Sequence, residues 1–279
     1  AMTDPDSLEL RDLERLLFRA WCIWLCSPGL NPRQQNQAKE QFRAVAQRFE
    51  QQLNTTAGPW LRSDQPETVD LLFVPYVERM NASLAYYKGY RLRREHPSID
   101  RWFRALESLE TYRGTQSDMH THVHDLPPQM GGCWTDNSEL ATDLAAKIDR
   151  GDGLGDDEAV WPDESLKGQA PLALSRVLRH RRQLLQRSPL GHKGFDLPLR
   201  CALTRLITGT ACQPPKGSAA SLRYLRDRIS IPRDMPVPAG RLLRQALEAT
   251  AAMDGSQQAE PLGVRNRFDQ DPRAFLIRP

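Results

Sequence analysis

Residues 68–91 read TVDLLFVPYVERMNASLAYYKGYR, and this stretch decides the fold. Val69, Leu72, Phe73, Tyr76, Val77, Met80, Leu84 and Tyr87 recur at three- and four-residue steps and cover much of the helix circumference. An amphipathic surface helix shows one apolar stripe, so this one is expected at the centre of a bundle, kinked at Pro75. Its neighbours carry single stripes. Leu8–Cys26 places Leu10, Leu13, Leu17, Trp21 and Trp24 on one face and is stopped by Ser27-Pro28-Gly29. Gln34–Leu53 does the same with Ala38, Phe42, Val45, Phe49 and Leu53. Ser98 caps Ile99–Leu109, with Ile99, Trp102, Phe103 and Leu106 inward. No strand pattern appears, and the fold class expected is all-α.

Beyond Leu109 the texture changes. Thr111–Trp134, with Pro127, Pro128, Gly131 and Gly132, reads as an ordered but irregular segment. A helix near Ser138–Asp149 precedes the acidic, Gly-rich run Arg150–Glu164, expected to be a solvated linker or lid. Helical stretches follow at Pro171–Arg187, Pro198–Thr208, Ser218–Ile229 and Pro238–Met253. The division expected is a helical domain over 1–135, a helix and linker over 136–164, and a basic helical extension over 165–279.

The chain has 279 residues, 39% hydrophobic and 26% charged, which suits a folded core rather than a disordered tail. No run approaches the ~18 apolar residues of a membrane span. The first helix is preceded by acidic residues, where a secretory signal would be basic. Five cysteines at irregular spacing favour free thiols and a reducing compartment such as the cytoplasm. The net charge of +3 conceals a split, because residues 165–279 hold 20 Lys and Arg against 8 Asp and Glu. Such a split points to an intramolecular dock or an acidic protein partner. The basic face expected to serve it carries Arg179, Arg181, Arg182, Arg223, Arg226 and Arg228, beside Arg176, His180 and Arg187. Aromatic interleaving is sparse, so nucleic acid is disfavoured. Gly151-Asp152-Gly153-Leu154-Gly155 has no preceding strand and acidic surroundings, which excludes a phosphate loop.

Two clusters carry chemistry. In Met119-His120-Thr121-His122-Val123-His124-Asp125, half of the six histidines fall within five residues. If the segment is extended, all three imidazoles share a side; if helical, His120 and His124 do. Both suit a metal site for zinc, copper or haem iron, with Asp118, Asp125 and Cys133 as further ligands, and both also suit rings that simply anchor the segment. On the first helix, Arg19, Trp21, Cys22 and Trp24, with Cys26 one turn on, read either as a pocket wall with a reactive thiol or as plain core.

The order of the first four helices resembles the all-helical C-terminal half of glutathione transferases, over about residues 8–135. Gly58-Pro59-Trp60-Leu61, Glu67-Thr68-Val69-Asp70, Pro75-Tyr76-Val77-Glu78-Arg79, Tyr86-Tyr87-Lys88-Gly89-Tyr90 and His96-Pro97-Ser98-Ile99-Asp100-Arg101-Trp102 carry the likeness. The family opens its buried helix with a hydroxyl-x-x-Asp capping box; here Asp70 fits the acid and Glu67 replaces the hydroxyl. Leu222–Ile229 with Pro232-Arg233-Asp234-Met235 is similar to the C-terminal extension of the iota class of cyanobacteria and plastids. The resemblance implies conjugation or thiol transfer to a hydrophobic electrophile, with Arg19, Trp21, Cys22, Trp24, Tyr87, His120, His122 and His124 lining the pocket, and homodimerisation. It implies glutathione only with a thioredoxin-like domain upstream, a pattern not seen before Ser7, and Ala1-Met2 reads as a start appended to part of a longer chain. This polypeptide alone is expected to be catalytically inactive. The competing expectation is a non-enzymatic module for a tetrapyrrole, a metal or an acidic partner.

Overall fold

The computed structural model describes residues 4–161 and 166–255. Twelve α-helices and one 3-10 turn form among these residues, and no strand, so the fold is all-α. In chain order they are α1 Pro5–Cys26, α2 Pro32–Leu53, α3 Thr68–Lys88, α4 Leu92–Glu95, α5 Pro97–Ser108, α6 Glu110–Thr115, α7 Met119–Met130 and α8 Glu139–Arg150. After the 3-10 turn Gly155–Asp157 come α9 Gln169–Arg187, α10 Gly191–Thr208, α11 Ala219–Arg226 and α12 Val237–Ala251. No helix among the described residues is long and apolar enough to cross a membrane.

The chain divides into two compact units, and the division is not a single cut. The first holds residues 4–115, 125–146 and 154–159; the second holds 116–124, 147–153 and the described residues from 160 onward. In the first, α3 is buried as its breadth of apolar positions requires, with Phe73, Val77, Met80 and Leu84 almost fully covered. Phe49 stacks on Phe73 at 4.6 Å between ring centres and meets Trp102 edge-on at 5.7 Å. The helix runs unbroken through Pro75. It stops at Gly89, whose φ of 61° few other residues adopt, and there Tyr90 N–H donates to Leu84 O at 3.0 Å in a left-handed cap.

The start of α3 is fastened by one carboxylate. Asp70 is fully buried; its Oδ1 accepts from Leu61 N–H and Trp102 Nε1–H, both at 3.1 Å, and its Oδ2 accepts from Glu67 N–H at 3.0 Å. Burial pushes its pKa up, against the three donors, which pull it down.

Two segments depart from the sequence reading. Thr111–Trp134 is mostly helical: α6 and α7 occupy it, and α7 contains both Pro127 and Pro128. The burial of Val123 and Leu126 outweighs the local helix-breaking preference. The acidic run is also not a solvated linker throughout. Asp157 is 2% exposed, pairs with Arg91, and its carbonyl accepts from Asn81 Nδ2–H at 3.1 Å and Arg93 Nη1–H at 3.3 Å. Residues 162–165 of that run lie outside the described residues.

The second unit packs α9, α10 and α12 around Ala173, Phe195, Leu199, Leu222, Leu243 and Leu247.

Candidate functional site

The second unit contains a cavity of about 260 Å³ lined by α9, α10, α11, α12 and the 228–235 turn. Its floor is apolar, from Val177, Phe195, Leu225, Ile229, Met235 and Leu243, all buried. Around the floor stand Arg176, His180, Arg187, Arg228 and Arg233, with Asp234 as the lone acid of the lining. The Arg228 guanidinium lies 3.5 Å from the Tyr224 ring centre, a cation–π contact within the cavity wall. Apolar depth with a cationic mouth selects a ligand that is apolar at one end and anionic at the other.

A second group of functional side chains gathers around α7. One helical turn brings His120 and His124 together, their ring centres 4.4 Å apart, and Asp227 from just past α11 joins them. One ligand atom from each lies within 4.8 Å of the others, and His120 Nε2 stands 3.3 Å from Asp227 Oδ1. His124 Nε2 pairs with Asp149 Oδ1 at 2.8 Å. Asp227 Oδ1 also accepts from Arg226 Nε–H at 2.6 Å, and Arg226 Nη1–H donates to Glu248 at 2.6 Å. Burial, reinforced by Arg244 and His124, pushes the His120 pKa down to about 3, so this ring is neutral at physiological pH.

Arg244 sets this segment in place. It has no exposed surface, pairs through Nη1 with Asp118, and through Nη2 donates to Ile229 O at 2.6 Å and Thr121 Oγ1 at 3.1 Å. Burial raises the Asp118 pKa, but Arg244 and His120 outweigh it and the net shift is downward.

In the first unit, Cys22, Cys26 and Cys133 form a hydrogen-bonded thiol group near Lys88. Cys26 is held down at about 4, first by the Cys133 thiol, then by Cys22, with Lys88 adding to them; Cys22 and Cys133 are pushed up. Of the two thiols on the first helix, Cys26 is the more acidic.

The residues singled out in the sequence are dispersed. Trp21 is core, 1% exposed, its Nε1–H donating to Ser83 Oγ at 3.0 Å, and Trp24 packs on Phe42 and Tyr90. Arg19 is exposed, and Tyr87 lies edge-on to Tyr86. Of the three histidines, His120 and His124 converge while His122, two residues along the same helix, is buried outside the group. Asp125 and Cys133 do not join them; Asp227 and Asp149 do.

Most of the expected basic face is engaged within its own unit. Arg181 pairs with Asp196, Arg223 with Glu248 at 2.8 Å, Arg226 with Asp227 and Glu248, and Arg228 covers Tyr224. Arg179 and Arg182 are exposed. Sequence reasoning missed the pairing of Asp227 with the histidines because about a hundred residues separate them and no local pattern links the two. Of the cavity lining, Arg176, His180, Arg187 and Arg228 stand on the expected basic face, whereas Phe195 precedes the helix expected over Pro198–Thr208 and had no pattern to mark it.

Comparison with known protein families, curated proteins and solved structures returns no match for this chain.

Proposed function

We propose that this protein binds a small anionic amphiphile, a carboxylate or sulfonate on an apolar body, in the cavity of its second unit. The observation that carries this reading is the joining of a buried apolar floor to five basic side chains with a single carboxylate among them. An apolar cavity of about 150 Å³ takes benzene, so a partly open cavity of 260 Å³ has room for roughly ten heavy atoms. A basic lining also discriminates, because it attracts an anionic ligand end and gives an uncharged one no such gain.

The test uses the full chain and the fluorescent sulfonate 1-anilinonaphthalene-8-sulfonate, displaced by decanoate or by decanol. Decanoate is expected to displace the dye at a concentration at least ten-fold below that of decanol. Leu184→Trp, at a residue of α9 that lines the cavity, and Arg228→Ala, which removes a cation, should each weaken dye binding ten-fold or more. Equal displacement by the acid and the alcohol, or unchanged binding in Leu184→Trp, would refute the proposal.

A second reading rests on the opening of α3. The carboxylate of Asp70 serves where the capping acid of glutathione transferases would, on a centrally buried helix, which supports the first unit as a substrate-pocket half of that family. On this reading glutathione belongs to a thioredoxin-like domain, and residues 1–279 alone show no conjugation of 1-chloro-2,4-dinitrobenzene. Turnover by this polypeptide with glutathione, abolished by no active-site variant of a contaminating enzyme, would overturn that expectation.

A further inference from the structure

We propose that His120, His124 and Asp227 form a binding site for a divalent cation of the zinc type. Two imidazoles and a carboxylate are the donor set of borderline ions, and three protein ligands leave one position for water or an exogenous ligand. The histidines come from successive turns of one helix and the aspartate from the end of another, so the donors are presented by rigid elements.

His120 is the observation that asks for a ligand. It is 2% exposed, both ring nitrogens are sealed from solvent, and neither completes a well-directed hydrogen bond, although Nε2 lies 3.3 Å from Asp227 Oδ1. A buried polar group left unsatisfied is costly, and a cation would satisfy it. A cation bonded at ~2.0–2.1 Å holds tetrahedral donors roughly 3.3–3.4 Å apart. His120 and Asp227 already stand at that separation, and the donor atoms of all three residues lie within 4.8 Å of one another.

The surroundings supply what lies behind the donors. Asp149 accepts from or pairs with His124 Nε2 at 2.8 Å, the carboxylate partner that orients a metal-bound imidazole. Arg244 fixes the segment through Asp118 and Thr121. Arg226 and Arg244 bring positive charge near the site. Arg226 is shared with Glu248 and Arg244 is matched by Asp118, so neither cation is uncompensated.

The full chain is stripped with chelator and titrated with Co(II), read by visible d–d absorption, and with Zn(II), read by elemental analysis after gel filtration. About one equivalent of each is expected. His124→Gln and Asp227→Asn should weaken Co(II) binding at least ten-fold, while His122→Ala, on the same helix but outside the group, should leave it unchanged. His124 is partly exposed, so its variant tests the site even if His120→Ala fails to fold. Absence of bound metal in the wild type, or equal loss in His122→Ala and His124→Gln, would overturn the proposal.

Discussion

Asp70→Ala is the substitution whose cost follows most directly from the geometry. The carboxylate has no exposed surface and satisfies three donors: Leu61 N–H and Trp102 Nε1–H at Oδ1, and Glu67 N–H at Oδ2. Alanine leaves Leu61 N–H and Trp102 Nε1–H buried without a partner and the part-buried Glu67 N–H without its acceptor. At about 1–3 kcal/mol for each orphaned donor, and allowing for relaxation, the loss is about 4–6 kcal/mol. Asparagine behaves differently. Its carbonyl can keep the two bonds at Oδ1, but its amide then faces Glu67 N–H donor to donor, so about 1–3 kcal/mol is lost. Trp102→Phe removes a single donor and leaves the acid its two backbone bonds, costing about 1–2 kcal/mol. Five of the six tryptophans, all but Trp161, lie in the first unit, so urea titration followed by tryptophan fluorescence reads that unit. The ranking expected is wild type above Trp102→Phe and Asp70→Asn, with Asp70→Ala far below. An Asp70→Ala midpoint corresponding to less than 1 kcal/mol of destabilisation would refute the view that this carboxylate fastens the start of α3.

Glu78 accepts from Tyr112 Oη–H at 2.6 Å, and burial pushes its pKa up to about 7, so the folded state holds a proton that the unfolded state releases above about 4.5. Stability of the first unit should therefore fall as pH rises from 4.5 to 7, by up to about 3 kcal/mol, and Glu78→Gln should flatten that slope in urea titrations at several pH values. The Cys26 thiolate should alkylate with iodoacetamide at pH 5 about 30-fold faster than an ordinary thiol, its larger ionised fraction offset by the weaker nucleophilicity of a low-pKa sulfur. Peptide mapping that finds all five cysteines equally slow at pH 5 would contradict this. Arg244→Met strands Asp118 and should cost about 3–5 kcal/mol, with much of it recovered in Arg244→Met/Asp118→Leu; thermal melts that show no recovery would mean that the pair is not the source of the loss.

How far the sequence could be read depended on whether a feature is periodic. The helices α1, α2, α3 and α5 announce themselves because burial on one face imposes a three- and four-residue recurrence, as in Phe42, Val45, Phe49 and Leu53 on α2. Helix α7 does not, since Pro127 and Pro128 signal a break and the opposing signal, the burial of Val123 and Leu126, exists only in the folded chain. The same distinction separates the two halves of the α7 histidine cluster. Once α7 is helical, the pairing of His120 with His124 follows from four-residue spacing alone, and so does the exclusion of His122. The acid that completes the group lies beyond any local pattern: Asp227 sits in a run, Arg226-Asp227-Arg228, whose composition proclaims positive charge. Charge counting read that run as an outward-facing surface, whereas Arg226 is buried and spent on Glu248 and Asp227. A basic composition thus concealed an inward-facing acid, because counting charges along a chain carries no information about which of them the fold turns toward one another.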